Sequence, residues 1–242
     1  MKFDELKKLH QKKHREASGH FLVEGEHLVL ELQKAAARNP VLQRSELYVT
    51  RAHEHWQSPF PKHVIGDRQM AQLAETRTPQ GLVAVVPMLP SVAPTSVPAG
   101  ERAIYLHEVR DPGNLGTILR TLAWFGHFRC LLSPDSVDPY NSKVVRASMG
   151  ALFHVPVELD VAWAALRQRF KRIASLDLRG QSVQAAAFAT FDCYLFGNEA
   201  RGLPAEALLA VAAEPFTIPG GGSIESLNLA AAVNICVYEL SK

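Results

Sequence analysis

Long apolar runs are missing from this chain. No stretch of its 242 residues approaches the roughly 18–20 apolar residues that a membrane helix requires, and the polar opening Met1-Lys2-Phe3-Asp4-Glu5 lacks the apolar core of a secretory leader. A cytoplasmic protein without a membrane partner is expected. Cysteine is scarce: Cys130, Cys193 and Cys236 are odd in number, far apart and set in apolar runs. That pattern builds neither a disulfide framework nor a zinc site, so the three are read as small buried hydrophobes and no metal is expected. Excess charge of one sign is also absent, because 26 Lys and Arg face 24 Asp and Glu for a net of +2. Bulk electrostatics announce no polyanion, and any nucleic-acid contact has to come from local clustering. Two nucleotide fingerprints are lacking as well. No Gly-x-Gly-x-x-Gly sits near the first strand of an α/β run and no Gly-Lys-Ser/Thr closes a glycine loop. This removes the grounds for a nicotinamide-dependent oxidoreductase or a P-loop enzyme.

What the chain does have is unevenly distributed. The first turns carry Lys2, Lys7, Lys8, Lys12, Lys13 and Arg15 with His10 and His14 interleaved, opposed only by Asp4, Glu5 and Glu16. Such a cluster either neutralises phosphates or is a solvated helix face. Strand-like runs follow at Phe21–Val23, Leu47–Val49, Val64–Ile65 and Leu82–Val86, with a helical run from Glu26 to Ala37 and Asp67 as the expected cap of a helix reaching Ala74. Residues 1–88 therefore read as a small α/β domain. The Pro- and Ser-rich residues 89–101 read as a linker, and 102–242 as a second domain. In that second domain, short β-branched or aromatic runs alternate with helical ones, which gives an α/β fold with a mostly parallel sheet and helices on both faces. Ligands of such sheets lie beyond the carboxyl ends of the strands, so chemistry is sought in the loops that follow them.

Three loops stand out. The first, Glu108-Val109-Arg110-Asp111-Pro112-Gly113-Asn114-Leu115-Gly116, turns at Pro112-Gly113 and leads into a helix from Leu115 to Phe125, with Asn114 as its expected N-cap. Arg120 falls in the apolar run of that helix, where a charge needs a partner or a purpose. The second, Phe196-Gly197-Asn198-Glu199-Ala200-Arg201-Gly202-Leu203-Pro204, follows an apolar strand and carries two glycines that let backbone approach a ligand closely. The third, Ile218-Pro219-Gly220-Gly221-Gly222-Ser223-Ile224-Glu225-Ser226-Leu227-Asn228, places a triple glycine ahead of Ser-Leu-Asn and an alanine-rich closing helix, a tight wrap around something.

In this order, the three loops resemble the three signature motifs of the SpoU/TrmH family of RNA ribose methyltransferases, within the SPOUT class. The stretch Lys143-Val144-Val145-Arg146-Ala147-Ser148-Met149-Gly150-Ala151 is similar to one commonly found between the first two motifs. The run Lys12-Lys13-His14-Arg15, followed by Phe21-Leu22-Val23-Glu24-Gly25, is similar to the family's N-terminal substrate-binding domain, a fold like certain ribosomal RNA-binding proteins. The resemblance implies a deep trefoil knot in the second domain, S-adenosylmethionine as cofactor with S-adenosylhomocysteine as product, a homodimer, and structured RNA as substrate, ribosomal RNA before transfer RNA. A non-catalytic RNA-binding or assembly protein on the same fold is the alternative of a different class. Carried over, the resemblance makes Phe196, Gly197, Asn198, Gly202, Ile218, Ser226, Leu227 and Asn228 the cofactor candidates. Arg120, Asn114, Asn228 and Glu199 become the catalytic candidates, and Lys8, Lys12, Lys13, Arg15, Arg110 and Arg146 the RNA-contacting ones. The chain departs from the family pattern at Gly220-Gly221-Gly222, where methionine is common after the proline, and at Leu122-Ala123-Trp124, where small or polar residues are more usual.

Overall fold

Strands and helices are interleaved in the computed structural model, which describes residues 1–90, 98, 100–224 and 226–242. The first part runs α1 (Phe3–Lys8), α2 (Lys12–Ser18), β1 (His20–Glu24), α3 (Glu26–Ala36), β2 (Glu46–Val49), β3 (Lys62–Val64), α4 (Asp67–Leu73) and β4 (Leu82–Pro87). Then come β5 (Arg102–Leu106), α5 (Pro112–Phe125), β6 (Phe128–Leu132), α6 (Ser142–Ser148), β7 (Val157–Glu158), α7 (Trp163–Arg169), β8 (Ile173–Ser182), β9 (Cys193–Phe196), α8 (Ala205–Ala210), β10 (Glu214–Thr217) and α9 (Leu229–Leu240). These elements form two compact units, one of Met1–Pro90 with Asp138–His154, the other of Ser91–Val137 with Val155–Lys242. The division is not purely sequential. Residues 138–154, read from sequence as part of the second domain, pack with the N-terminal unit. Most of the expected linker falls on 91–97 and 99, outside the described residues.

The first unit is built on a four-stranded sheet of order β1-β4-β2-β3. Its central strand β4 is buried along all six residues, as a strand covered on both faces must be, whereas the edge strand β3 is exposed throughout. Gly66, not Asp67, is the N-cap of α4; Asp67 lies in the first turn, where its charge favours the positive end of the helix dipole.

The second unit is a six-stranded sheet of order β10-β8-β9-β5-β6-β7 whose pairings are all parallel. From β5 the chain moves outward through β6 and β7, then crosses to the other side and fills β8, β9 and β10. The strand order therefore reverses between β5 and β9, and a crevice opens at their carboxyl ends, where open α/β sheets bind ligands. Arg129 lies in the apolar run of β6 and is buried at 3% exposure. It is kept charged there by Glu101 at 2.6 Å and Glu158 at 2.7 Å. All three cysteines are buried free thiols, and burial pushes Cys236 up to about 12.

Candidate active site

Leu106, Phe196 and Thr217 end β5, β9 and β10 on the same side of a parallel sheet, so the three singled-out loops emerge together. The first loop enters α5 through Asp111, whose carboxylate accepts the Asn114 N–H at 2.7 Å. Asp111 is therefore the N-cap, and the expectation that Asn114 caps this helix is corrected. The outcome matters for chemistry, because a capping amide is committed to its own backbone and this one is free for other contacts.

Asn114 spends its side chain across the loops. Its Nδ2 donates to Glu199 Oε1 at 3.1 Å, and its Oδ1 accepts from Asn228 Nδ2 at 2.9 Å. Asn228 in turn caps α9, its Oδ1 accepting the Ala231 N–H at 3.2 Å. One residue from each loop thus joins a single chain of side-chain hydrogen bonds, Glu199 to Asn114 to Asn228. The helices behind them are held as well. Thr121 on α5 donates to Asn234 Oδ1 on α9 at 2.6 Å, and Phe125 packs edge-on to Tyr238.

The second loop closes on itself. Asn198 and Gly202 exchange backbone hydrogen bonds at 3.1 and 2.9 Å, and Asn198 Oδ1 accepts the N–H groups of Ala200 and Arg201. A Cβ on Gly197 would come within 2.4 Å of the Gly202 backbone, so only glycine permits this closure. Asn198 Nδ2 reaches back to the Glu108 carbonyl at 2.8 Å and ties the loop after β9 to the loop after β5. Glu108 has left-handed backbone, φ 47°, an uncommon conformation for a side-chain-bearing residue. Its N–H is held by Ser133 Oγ at 2.7 Å and its carboxylate by Arg201 and Arg110. Sequence reading did not select Glu108. The signal was there, an acid two residues beyond the end of a buried strand, but an acid in that place is indistinguishable by sequence from an ordinary surface one. His107, beside it, packs on Trp163, and burial lowers its pKa.

The cofactor candidates divide by exposure. Phe196 is a core residue at 1% exposure, and Asn198 is buried, so both act as the scaffold of the loop. Gly202, Ser226, Leu227 and Asn228 are exposed, Gly197 and Ile218 half-buried. Leu227 and Ile224 show large apolar surface, 45% and 77% exposed. Among the described residues of 219–227, no backbone group is used in a backbone hydrogen bond. A wrap that offers uncommitted N–H and C=O groups next to apolar side chains fits a ligand with an aromatic base and a flexible polar tail, as S-adenosylmethionine has.

Arg120 is not part of this hydrogen-bonded chain. It is exposed, and among the described residues it forms neither a hydrogen bond nor an ion pair. Six residues beyond Asn114, it lies about 9 Å further along the helix and on another face. The sequence reading that a charge in this apolar run needs a partner or a purpose finds no partner here: the helix keeps its apolar stripe inward and presents Arg120 to solvent. It shares an outer face with Trp124, which is 84% exposed, and the packed helix α9 adds Tyr238 and Ile235 at 54% and 36%.

Of the RNA-contacting candidates, Arg15 is withdrawn. It is 4% exposed, bound to Asp138 Oδ2 through Nε and Nη2 at 3.1 and 2.5 Å and to the carbonyls of Leu9 and His10; four of its five N–H groups are taken and the guanidinium is sealed from a phosphate. Arg146 is half-buried with Glu75 at 3.8 Å, and Arg110 is exposed with Glu108 at 3.4 Å. Lys8, Lys12 and Lys13 are exposed, Lys12 facing Glu16 at 3.6 Å.

Comparison with known proteins bears on this geometry. Residues 101–238 match the SpoU rRNA Methylase family, and residues 2–84 match an MRM3-like substrate binding domain. The 23S rRNA (guanosine(2553)-2′-O)-methyltransferase RlmP of Bacillus subtilis is 32% identical over 99% of this chain and 95% of its own. The AdoMet-bound rRNA methyltransferase of Sinorhizobium meliloti superposes with a TM-score of 0.82 at 26% identity, covering 98% of this chain and 93% of that one. The SpoU methyltransferase AviRb of Streptomyces viridochromogenes, at 23% identity and a TM-score of 0.83, covers 99% of this chain and 96% of its own and shares the fold. With its loops converging at the switch point of a parallel sheet and the match running through both units, this chain belongs to the SpoU rRNA methylase family.

Proposed function

We propose that methyl transfer takes place beside the Glu199–Asn114–Asn228 chain, at the crevice beyond β5 and β9. The protein is a ribosomal RNA ribose 2′-O-methyltransferase that uses S-adenosylmethionine. The observation that carries the placement is that Asn114, Glu199 and Asn228, from three separate loops, hydrogen-bond to one another. When bound, the cofactor supplies a methyl group on a positively charged sulfur, which becomes a neutral thioether in S-adenosylhomocysteine. The protein's tasks are alignment and handling of the hydroxyl proton. Glu199 orients the Asn114 amide, and Asn114 with Asn228 positions the ribose oxygen. A guanidinium has only N–H donors and no acceptor lone pair, so Arg120 is no base; its planar fork orients an adjacent phosphate and stabilises negative charge developing on the oxygen. Gly197, Asn198, Gly202, Ile218, Ser226 and Leu227 form the cofactor's cradle, with Phe196 as its base, and the closing segment threads into a trefoil knot.

The outer face of Trp124, Ile235 and Tyr238 is where a second copy docks. An apolar patch across two packed helices calls for a cover, which supports a homodimer with Arg120 at its seam. Residues 1–88 capture RNA, with Lys8, Lys12, Lys13, Arg110 and Arg146 on phosphates, and the enzyme works in the cytoplasm. No helix of the described residues is long and apolar enough to cross a membrane. Mapping of ribose methylation in total RNA from cells with and without the gene tests the activity: one ribosomal RNA position is expected to lose its methyl group, and unchanged maps refute the reading.

A further inference from the structure

The N-terminal unit contains a hollow that methyl transfer leaves without a task. It is an open depression of about 320 Å³, lined by Thr50, His53, Met70, Ala71, Pro79 and Gln80 among others. Clefts that hold small ligands start at roughly 300 Å³, so the space suits one small planar group. Its polar wall is fixed in advance. His53 is held at both ring nitrogens, with Thr50 Oγ1 3.2 Å from Nδ1 and the Glu26 carboxylate 3.3 Å from Nε2. Gly81, at φ 80°, closes against that pair; a Cβ there would come 2.6 Å from His53 Nδ1 and 2.7 Å from Thr50 Oγ1. Gln80 Oε1 accepts the Glu26 N–H at 3.1 Å. Three chain segments thus lock the wall, while Met70, Ala71 and Pro79 supply an apolar side.

The charged groups at the wall are acids, Asp67 and the Glu26 partner of His53, while arginines adjoin the lining positions along the chain. Arg51, Arg68 and Arg77 each lie one or two residues from a lining position and are exposed, and none joins a salt bridge among the described residues. Asp67 also lines the hollow, which disfavours a phosphate inside it and favours a group with N–H donors. We infer that this hollow receives one unpaired base of the RNA substrate, with Arg51, Arg68 and Arg77 on the flanking phosphates. The assignment rests on reading the chain as an RNA methyltransferase. Unpaired bases are the positions at which RNA offers both a face to pack and an edge to hydrogen-bond, and arginine forks match phosphate oxygens.

Two variants of the full chain test it: Ala71→Trp, which fills the hollow from an exposed helix position, and the triple Arg51→Ser/Arg68→Ser/Arg77→Ser. With ribosomal RNA from gene-deleted cells and radiolabelled S-adenosylmethionine, each is expected to raise KM for RNA about 5-fold or more. Calorimetric cofactor affinity and the thermal midpoint stay at wild-type values. Ribosomal RNA transcripts carrying 4-thiouridine, irradiated with the wild-type protein, should crosslink to peptides within 50–81. Wild-type KM in both variants, or crosslinks confined to other peptides, overturns the inference. If the wild-type chain methylates no ribosomal RNA, that failure falls on the methyltransferase reading, and crosslinking, which needs no turnover, still decides the hollow.

Discussion

The loops of the second unit and the basic helices of the first both look functional in sequence, and the fold treats them differently. In the second unit, residues more than a hundred positions apart, Asn114 and Asn228, meet at 2.9 Å. In the first, a row of like cations separates: Arg15 is sealed against Asp138 while Lys8 and Lys13 stay in water. Loops at strand ends inherit their placement from the sheet, because parallel pairing puts every carboxyl end on one side. Cations on a helix inherit nothing comparable. Which of them is buried depends on a carboxylate from elsewhere in the chain, and here it comes from residue 138.

The sharpest break of this comparison is at Arg120. Exposed as it is, Arg120→Ala should fold normally and keep cofactor affinity while methyl transfer falls about 10²–10³-fold, the usual loss of one charge-stabilising donor. Arg120→Lys should recover little of it, and near-normal turnover by the lysine variant would remove the planar fork from the mechanism. Arg15→Met tests the other side. Leaving Asp138 buried without its partner should cost about 3–5 kcal/mol in urea unfolding; a loss of RNA affinity at unchanged stability would return Arg15 to the phosphate contacts. Asn114→Ala removes the middle of the side-chain chain and should lower turnover about 10-fold or more with little change in the midpoint of melting. Trp124→Glu puts a charge on the apolar outer face, and light scattering should then report a monomer; an unchanged mass would move the dimer seam elsewhere. The smallest effect belongs to Lys8→Ala/Lys13→Ala. Each lost phosphate contact should flatten the slope of log affinity against log salt by about 0.7–0.9, measured by filter binding, and an unaltered slope would leave the basic helices a solvated face.

Much of the fold was legible because it rests on local chemistry. Apolar runs marked the strands of the first sheet, β4 among them to within a residue, and the alternation of strand-like and helical runs marked the parallel sheet of the second. The two-residue β7 and the helix α7 escaped, since so short a strand leaves no period and Trp163–Arg169 mixes apolar and basic residues without a clean stripe. At the site, the three loops were legible as motifs, yet Asp111 took the capping role expected of Asn114 because it accepts the Asn114 N–H and starts the helix three residues earlier. Glu108 could not be told from a surface acid. Its importance is a backbone conformation and four contacts made by Ser133, Asn198, Arg201 and Arg110.

Sequence alone determined the α/β class, the strand-end loops and the family to which they belong, because residue type and spacing encode turns and periodicity directly. Only the tertiary structure decided that Arg15 is internal, that Arg120 faces outward, that 138–154 joins the N-terminal unit and that a hollow forms beside Thr50 and His53. The physical reason is common to all four. Burial and partnership are set by residues distant in the chain, and no local pattern carries information about which of them will arrive.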